Sequence, residues 1–136
     1  MLHRDYLVEV VGEFVQEVSR ALRRAVAGDV DGVGEVERQV GDILELDHEI
    51  ALSLAPDSLV TMILLSGVGD SVAAYIRYAL NRAADLHERE GNADLAGLRR
   101  LQARAVGESF GCAGVPAEFS ELDAELFGEG AAGARP

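Results

Sequence analysis

Apolar residues recur every three or four positions along most of the chain, which is the spacing of one buried helix face. The pattern predicts a first helix over residues 4–27, acidic in its first turns and basic in its last, with Gly28 as its stop. A second helix is predicted over residues 31–54, although its glycines weaken it. No segment alternates as a half-buried strand would, so the sequence predicts an all-α fold of about five to six helices.

The second half of the chain continues this pattern. Pro56 fits the first turn of a short third helix, and the run "SLVTMILLSG" (58–67) is apolar on nearly all sides, so we expect it to be buried. A fourth helix should begin at a cap formed by Asp70 or Ser71. Pro116 can open a last short helix. We therefore predict one all-helical domain over residues 1–127 and a disordered tail over residues 128–136.

The stretch "DLHEREGNADLAGLRRLQARA" (85–105) predicts two helices folded back on each other. An amphipathic run stops at Gly91, and Asn92 caps a new one at once. The second helix of this pair is expected to bury a stripe that contains Leu95, Leu98 and Leu101. Such a short connection makes the two helices an antiparallel hairpin.

This hairpin, over about residues 71–107, resembles the two-helix unit of tetratricopeptide repeats (TPR). Gly91 falls at the turn of that repeat, and His87 takes the place of an aromatic residue. The small positions of the repeat are occupied by alanines: Ala84, Ala96 and Ala103. The resemblance implies antiparallel helices that approach each other closely.

A wider resemblance covers about residues 3–110. The segments "RDYLVEVVGEFVQEVSRAL" and "ILELDHEIALSLAPDSLVTMIL", followed by the hairpin, resemble a bacterial family of uncharacterised all-helical proteins with a TPR-like second half. The resemblance implies this fold and assigns no activity.

The charge of the chain restricts the classes of partner that it can bind. The formal net charge is −12, all twelve basic residues are arginines, and residues 29–57 hold nine acids against Arg38. The phosphate backbone of nucleic acid repels such a surface, so we expect no nucleic-acid partner. The acidic block is interpreted as a solvated face, with a docking face for a basic partner as the alternative.

The location expected for this chain is the cytoplasm. No apolar leader follows Met1, and the longest uncharged stretch, residues 58–69, is too short for a membrane-spanning helix. Cys112 is the only cysteine, which excludes an internal disulfide bond and a cysteine zinc site.

Candidate chemistry centres on polar residues within apolar stripes. Asp47 and His87 are each expected in the middle of a buried stripe, where they could meet as an ion pair or as a general base oriented by a carboxylate. The plainer interpretation is that Asp47 caps the start of the third helix or lies at a wet groove, and that His87 is a core histidine with satisfied hydrogen bonds. Tyr75 is the third candidate for such a pocket. Glu45 and His48 have the i, i+3 spacing of a di-iron ligand pair, but no second pair exists. We therefore expect neither a metal nor a cofactor.

A second candidate site is a basic strip on the second helix of the hairpin. Arg99, Arg100 and Arg104 could bind a carboxylate or a phosphate there, whereas pairing with nearby acids is the plainer interpretation.

The sequence favours an interaction module over an enzyme. It contains no nucleophile beside a base and no glycine-rich phosphate loop. The predicted function is binding to a protein partner or to a second copy of the chain, as in a homodimer. The alternative is a small helical enzyme, or a metal- or anion-binding protein, that uses Asp47, His87 and Glu45.

Overall fold

A computed structural model describes residues 2–128 of the chain, with side chains from residue 5 onward. Over that range the chain forms helices and no strand, which confirms the predicted all-α class. The number of helices in this range is higher than expected. The seven helices are α1 (Leu2–Val26), α2 (Gly32–Ile43), α3 (His48–Ala51), α4 (Pro56–Leu65), α5 (Gly69–Arg89), α6 (Ala93–Phe110) and α7 (Ala117–Phe127).

Two helical hairpins make up most of the fold. Helices α5 and α6 share the most extensive interface, followed by α1 and α2. The turns contain Gly28 and Gly91 at φ of 110° and 83°, a left-handed conformation that glycine adopts at little cost. A Cβ on Gly32 would lie 2.6 Å from the Cβ of Ala25, so α2 begins in close contact with α1. Both predicted glycine stops are confirmed.

The predicted second helix is in fact two helices. Helix α2 ends at Ile43, and Glu45 adopts a positive φ of 57°, which turns the chain before α3 begins. Asp47 is the N-cap of α3: its carboxylate accepts hydrogen bonds from the backbone N–H of Glu49 at 2.9 Å and of Ile50 at 3.3 Å. The expectation that Asp47 lies in a buried stripe is wrong, because the break after Ile43 turns it to the surface.

Helix α4 is buried on one side only. Leu59, Val60 and Ile63 belong to the core, but Leu64 and Leu65 are 60% and 75% exposed. The expectation that the whole run is buried is therefore wrong: α6 and α5 cover one face of α4 and leave Leu64 and Leu65 on the other side exposed. No helix among residues 2–128 is long and apolar enough to cross a membrane.

The last helix closes the fold against the first and the fifth. Pro116 is the N-cap of α7, and the ring of Phe119 stacks on Tyr78 with 4.5 Å between ring centroids. Phe119 also meets the ring of Phe14 on α1 edge to face, at 6.5 Å. The predicted tail falls almost wholly on residues 129–136, which lie outside the described part of the chain.

Candidate functional site

A cluster of polar side chains lies inside the fold, between α2, α5 and α6. The Glu37 carboxylate accepts hydrogen bonds from Nε of Arg99 and from Nε2 of His87, each at 2.7 Å. Arg99 also donates to the side-chain oxygen of Gln102 at 3.1 Å. The exposed fractions are 8% for Glu37, 5% for His87, 6% for Arg99 and 0% for Gln102. We call these four residues the buried polar cluster.

The buried polar cluster also holds the chain between α3 and α4. Arg99 donates to the backbone carbonyl of Leu52 at 2.7 Å, and the Gln102 amide donates to the carbonyls of Leu52 and Leu54 at 3.1 and 2.9 Å. Carbonyls at the end of a short helix have no partner within the helix itself. The two α6 side chains supply those partners, so the cluster fastens the α3–α4 connection to the hairpin.

Hydrogen bonding determines the tautomer of His87 in this cluster. Its Nε2 faces a carboxylate, which only accepts, so Nε2 carries the hydrogen and donates it. Its Nδ1 is buried and has no partner among the described residues. The ring is thus oriented by a carboxylate, as in a general base, but it is closed off from solvent. Nδ1 therefore lies inside the fold, and the contacts of the ring join α5 to α2.

The predicted meeting of Asp47 and His87 does not occur. Asp47 is exposed at the start of α3, and Glu37 takes the place at His87 that was expected for Asp47. Glu45 is also exposed and accepts a hydrogen bond from the hydroxyl of Tyr6 at 3.2 Å. The burial predicted for His87 is confirmed. No group of three or more His, Cys, Asp or Glu within the described residues is arranged to hold a metal ion.

Glu37 and Gln102 were not singled out by the sequence pattern, although it held a signal for both. Glu37 stands four positions after Val33 and three before Val40, within the apolar stripe of α2. Gln102 is on the face of α6 that is actually buried, together with Ala96 and Ala103. A polar residue within an apolar stripe indicates that it has a buried partner. In α6 the leucines predicted a different buried face, so Gln102 did not fall within the predicted stripe.

Tyr75 lies away from the buried polar cluster, on α5 where it faces α7. Its hydroxyl donates to the Glu118 carboxylate at 2.7 Å. Burial, followed by that hydrogen bond, raises the pKa of Tyr75 to about 12. The ring borders an apolar groove of about 550 Å³ against Val8, Val11 and Val15 of α1. Tyr75 therefore belongs to a surface groove and not to a pocket with His87.

The three arginines of the predicted basic strip are divided between two faces. Arg99 points inward to Glu37. Arg100 pairs with Asp85 and with Glu88, and Arg104 approaches Glu108 at 3.4 Å. A continuous strip of three does not form, because residues 99 and 100 lie about 100° apart around a helix.

The N-terminal half of α1 has a second groove on its other side, against α2. Its apolar lining includes Val10, Phe14 and Ile43, and its volume is about 560 Å³. Its borders carry three exposed carboxylates, which form no ion pair within the described residues: Glu9, Glu13 and Asp42. We call this the acidic groove. Its lining suits a ligand that combines apolar and basic groups.

Comparison with protein-family models, with curated proteins and with solved structures found no match to this chain. The resemblance to the bacterial helical family stays a prediction from the sequence.

Proposed function

We propose that this chain is a protein–protein interaction module whose binding face is the N-terminal half of α1. The observation that carries the proposal is that α1 leaves apolar surface uncovered between two grooves. Val8 borders both of them and is 68% exposed, and Tyr6 beside it is 51% exposed. Contiguous exposed apolar surface of this kind is typical of a binding site.

The charge around this face favours a basic partner. The acidic groove is bordered by Glu9, Glu13 and Asp42, and no described arginine lines it. A segment with apolar residues on one side and lysine or arginine beside them matches both its floor and its borders. A second copy of the chain would bring carboxylates against carboxylates, so self-association is the weaker form of the proposal.

The hairpin of α5 and α6 supports a TPR-like arrangement as part of this proposal. Its small residues are buried at the interface, with exposed fractions of 0% for Ala84, 4% for Ala96 and 1% for Ala103. Small side chains let two helices approach closely, which is the feature that the repeat requires. A cytoplasmic location remains a prediction from the sequence.

Photo-cross-linking tests the proposal. Gly12 on α1 and Gly97 on α6 are exposed helical glycines around which a Cβ would meet nothing within 4 Å, so a photoreactive residue fits at either. We expect discrete cross-linked products from position 12 in the native cells, and none from position 97. Adding Val8→Asp should abolish the products while urea unfolding of the protein stays unchanged.

The mass of the cross-linked product identifies the partner. A product of twice the chain mass would support self-association, and any other discrete mass would support a separate partner. The same products from positions 12 and 97, products that survive Val8→Asp, or no product at position 12 would contradict the proposal.

A further inference from the structure

A cleft between α5 and α6 collects arginines in a chain that is otherwise acidic. One part of the cleft, about 270 Å³, is lined by Arg77, Asn81, Arg100, Arg104 and Glu108 among others. An adjoining part of about 330 Å³ shares Arg77, Asn81 and Arg100, and its lining also contains Arg82, Asp85, Tyr78 and Val115. We call both parts together the arginine cleft. The two parts together present four guanidinium groups and two carboxylates, and three of the guanidinium groups line the first part.

Arg77 keeps most of its hydrogen-bond donors free. It donates from one terminal nitrogen to the carbonyl of Gly114 at 3.2 Å, and it forms no ion pair with any described residue. Gly107 on α6 leaves room for it, because a Cβ at that position would lie 2.9 Å from Nε of Arg77. A guanidinium group has five N–H donors, so most of those on Arg77 remain available.

Two arginines of α6 complete the first part of the cleft. Asp85 and Glu88 hold Arg100 in place, and they raise its pKa, Asp85 more strongly. The Arg104 side chain is 74% exposed, and its contact with Glu108 is long, at 3.4 Å. An ion pair of that exposure and length contributes little, so Arg104 is free to turn toward a ligand.

We propose that the arginine cleft binds the phosphate group of a small molecule. Guanidinium groups from α5 and α6 approach the same space from two sides, which suits a tetrahedral anion that accepts several hydrogen bonds. A phosphate group has more acceptor oxygens than a carboxylate, so it can accept hydrogen bonds from more guanidinium groups at once. The adjoining part beside Tyr78 and Val115 has room for an organic group attached to the phosphate. This site is separate from the partner surface on α1.

Titration of the purified full chain, followed by NMR of its backbone amides at constant ionic strength, tests the site. The probes are inorganic phosphate and phenyl phosphate, with chloride as the control salt. We expect saturable shifts at Gly107, Cys112 and Gly114, which surround the cleft. Arg77→Gln and Arg104→Gln should each weaken binding by at least about tenfold, the effect of one lost charge-assisted hydrogen bond. Arg38→Gln, an exposed arginine on α2, is the matched control and should bind as the parent does.

Each outcome of the titration decides something. Stronger binding of phenyl phosphate would assign the adjoining part to an organic group, and equal binding would assign the cleft to free phosphate. No saturable shift with either probe, or shifts that persist in Arg77→Gln and Arg104→Gln, would overturn the proposal. Binding of a phosphoserine peptide but of neither small probe would also contradict it. Arg104 is exposed, so its variant keeps the test valid if Arg77→Gln fails to fold.

Discussion

The two faces of α6 show how one run of arginines acquires two different roles. Arg99 turns inward and ends against Glu37, whereas Arg100 and Arg104 turn outward into the arginine cleft. The residue type is the same and the positions are adjacent, so the difference lies in burial and partners. A buried guanidinium must be fully paired and then serves the fold, while an exposed one keeps donors for a ligand.

The inward face depends on every member of the buried polar cluster. Glu37 is held by Arg99 and His87 together, and removing either leaves a buried carboxylate with fewer partners. Breaking a buried ion pair on one side costs about 3–5 kcal/mol, whereas exposed pairs contribute about 0–1 kcal/mol. The two faces should therefore differ sharply in stability measurements.

The largest expected effect is that of Arg99→Met. It leaves Glu37 with His87 alone, and the free energy of unfolding should fall by about 3–5 kcal/mol. Arg104→Met, on the same helix, should change it by less than about 1 kcal/mol. Urea unfolding of both variants checks the contrast, and equal losses would refute the division of the two faces.

Gln102→Leu should have the next largest effect. The variant removes the donor to the carbonyl of Leu54 and one of two donors to that of Leu52, and it frees the N–H of Arg99. Leaving buried polar groups unpaired costs about 1–3 kcal/mol. Protease nicking between α3 and α4 should also become faster, because this connection loses its attachment to α6. A variant that melts with the parent would show that the amide contributes nothing.

Two glycines of α2 offer the same contrast of faces on another helix. A Cβ on Gly41 would lie 2.7 Å from the carbonyl oxygen of Leu46, while a Cβ on Gly34 would meet nothing within 4 Å. Gly41→Ala should therefore destabilise the fold by about 1–3 kcal/mol through crowding. Gly34→Ala should stabilise it by about 0.5–1 kcal/mol, because alanine favours a helix. Thermal unfolding measures both changes in stability. A Gly41→Ala protein as stable as the parent would contradict the close approach of Gly41 to Leu46.

The smallest effect concerns the tyrosines of α5 at high pH. Burial, followed by the bond to Glu118, raises the pKa of Tyr75 to about 12 from 10.0. Burial and Asp123 raise the pKa of Tyr78 in the same direction. Between pH 10 and about pH 12 the tyrosines of the unfolded chain lose protons that those of the folded chain keep. The free energy of unfolding therefore falls as the pH rises above about 10. Tyr75→Phe should lessen that fall. Absorbance titration checks the account, which fails if Tyr75 ionises near pH 10 in the folded protein.

The helical periodicity predicted most of the fold but misassigned one face. The stop at Gly91 and the burial of His87 are confirmed, whereas Leu95 and Leu101 of the expected α6 stripe are 40% and 55% exposed. The face that packs contains small and polar residues, because close approach to α5 and the carbonyls of the α3–α4 connection decide it. The spacing of leucines shows which face of a helix is apolar, and it does not show which face the neighbouring helices cover.

The candidate sites were harder to predict because they depend on residues far apart in the chain. Glu37 and Arg99 are 62 positions apart, and Arg77 joins Arg104 only when the hairpin closes. The break after Ile43, which removed Asp47 from the core, depends on a positive φ at Glu45 that is uncommon for this residue type. The spacing of residues along the chain predicts neither the long-range contacts nor the break after Ile43.

The most direct test of the division between the two faces of α6 is urea unfolding of the parent, Gln102→Leu and Arg104→Gln, with and without phosphate at constant ionic strength. A ligand that binds only the folded state stabilises it, and at a given concentration the gain is larger when the Kd is lower. Gln102→Leu should be less stable than the parent yet gain as much from phosphate as the parent does. Arg104→Gln should be as stable as the parent and gain much less. If Arg104→Gln gains as much as the parent, or if Gln102→Leu loses the gain, the two faces do not have the separate roles assigned to them.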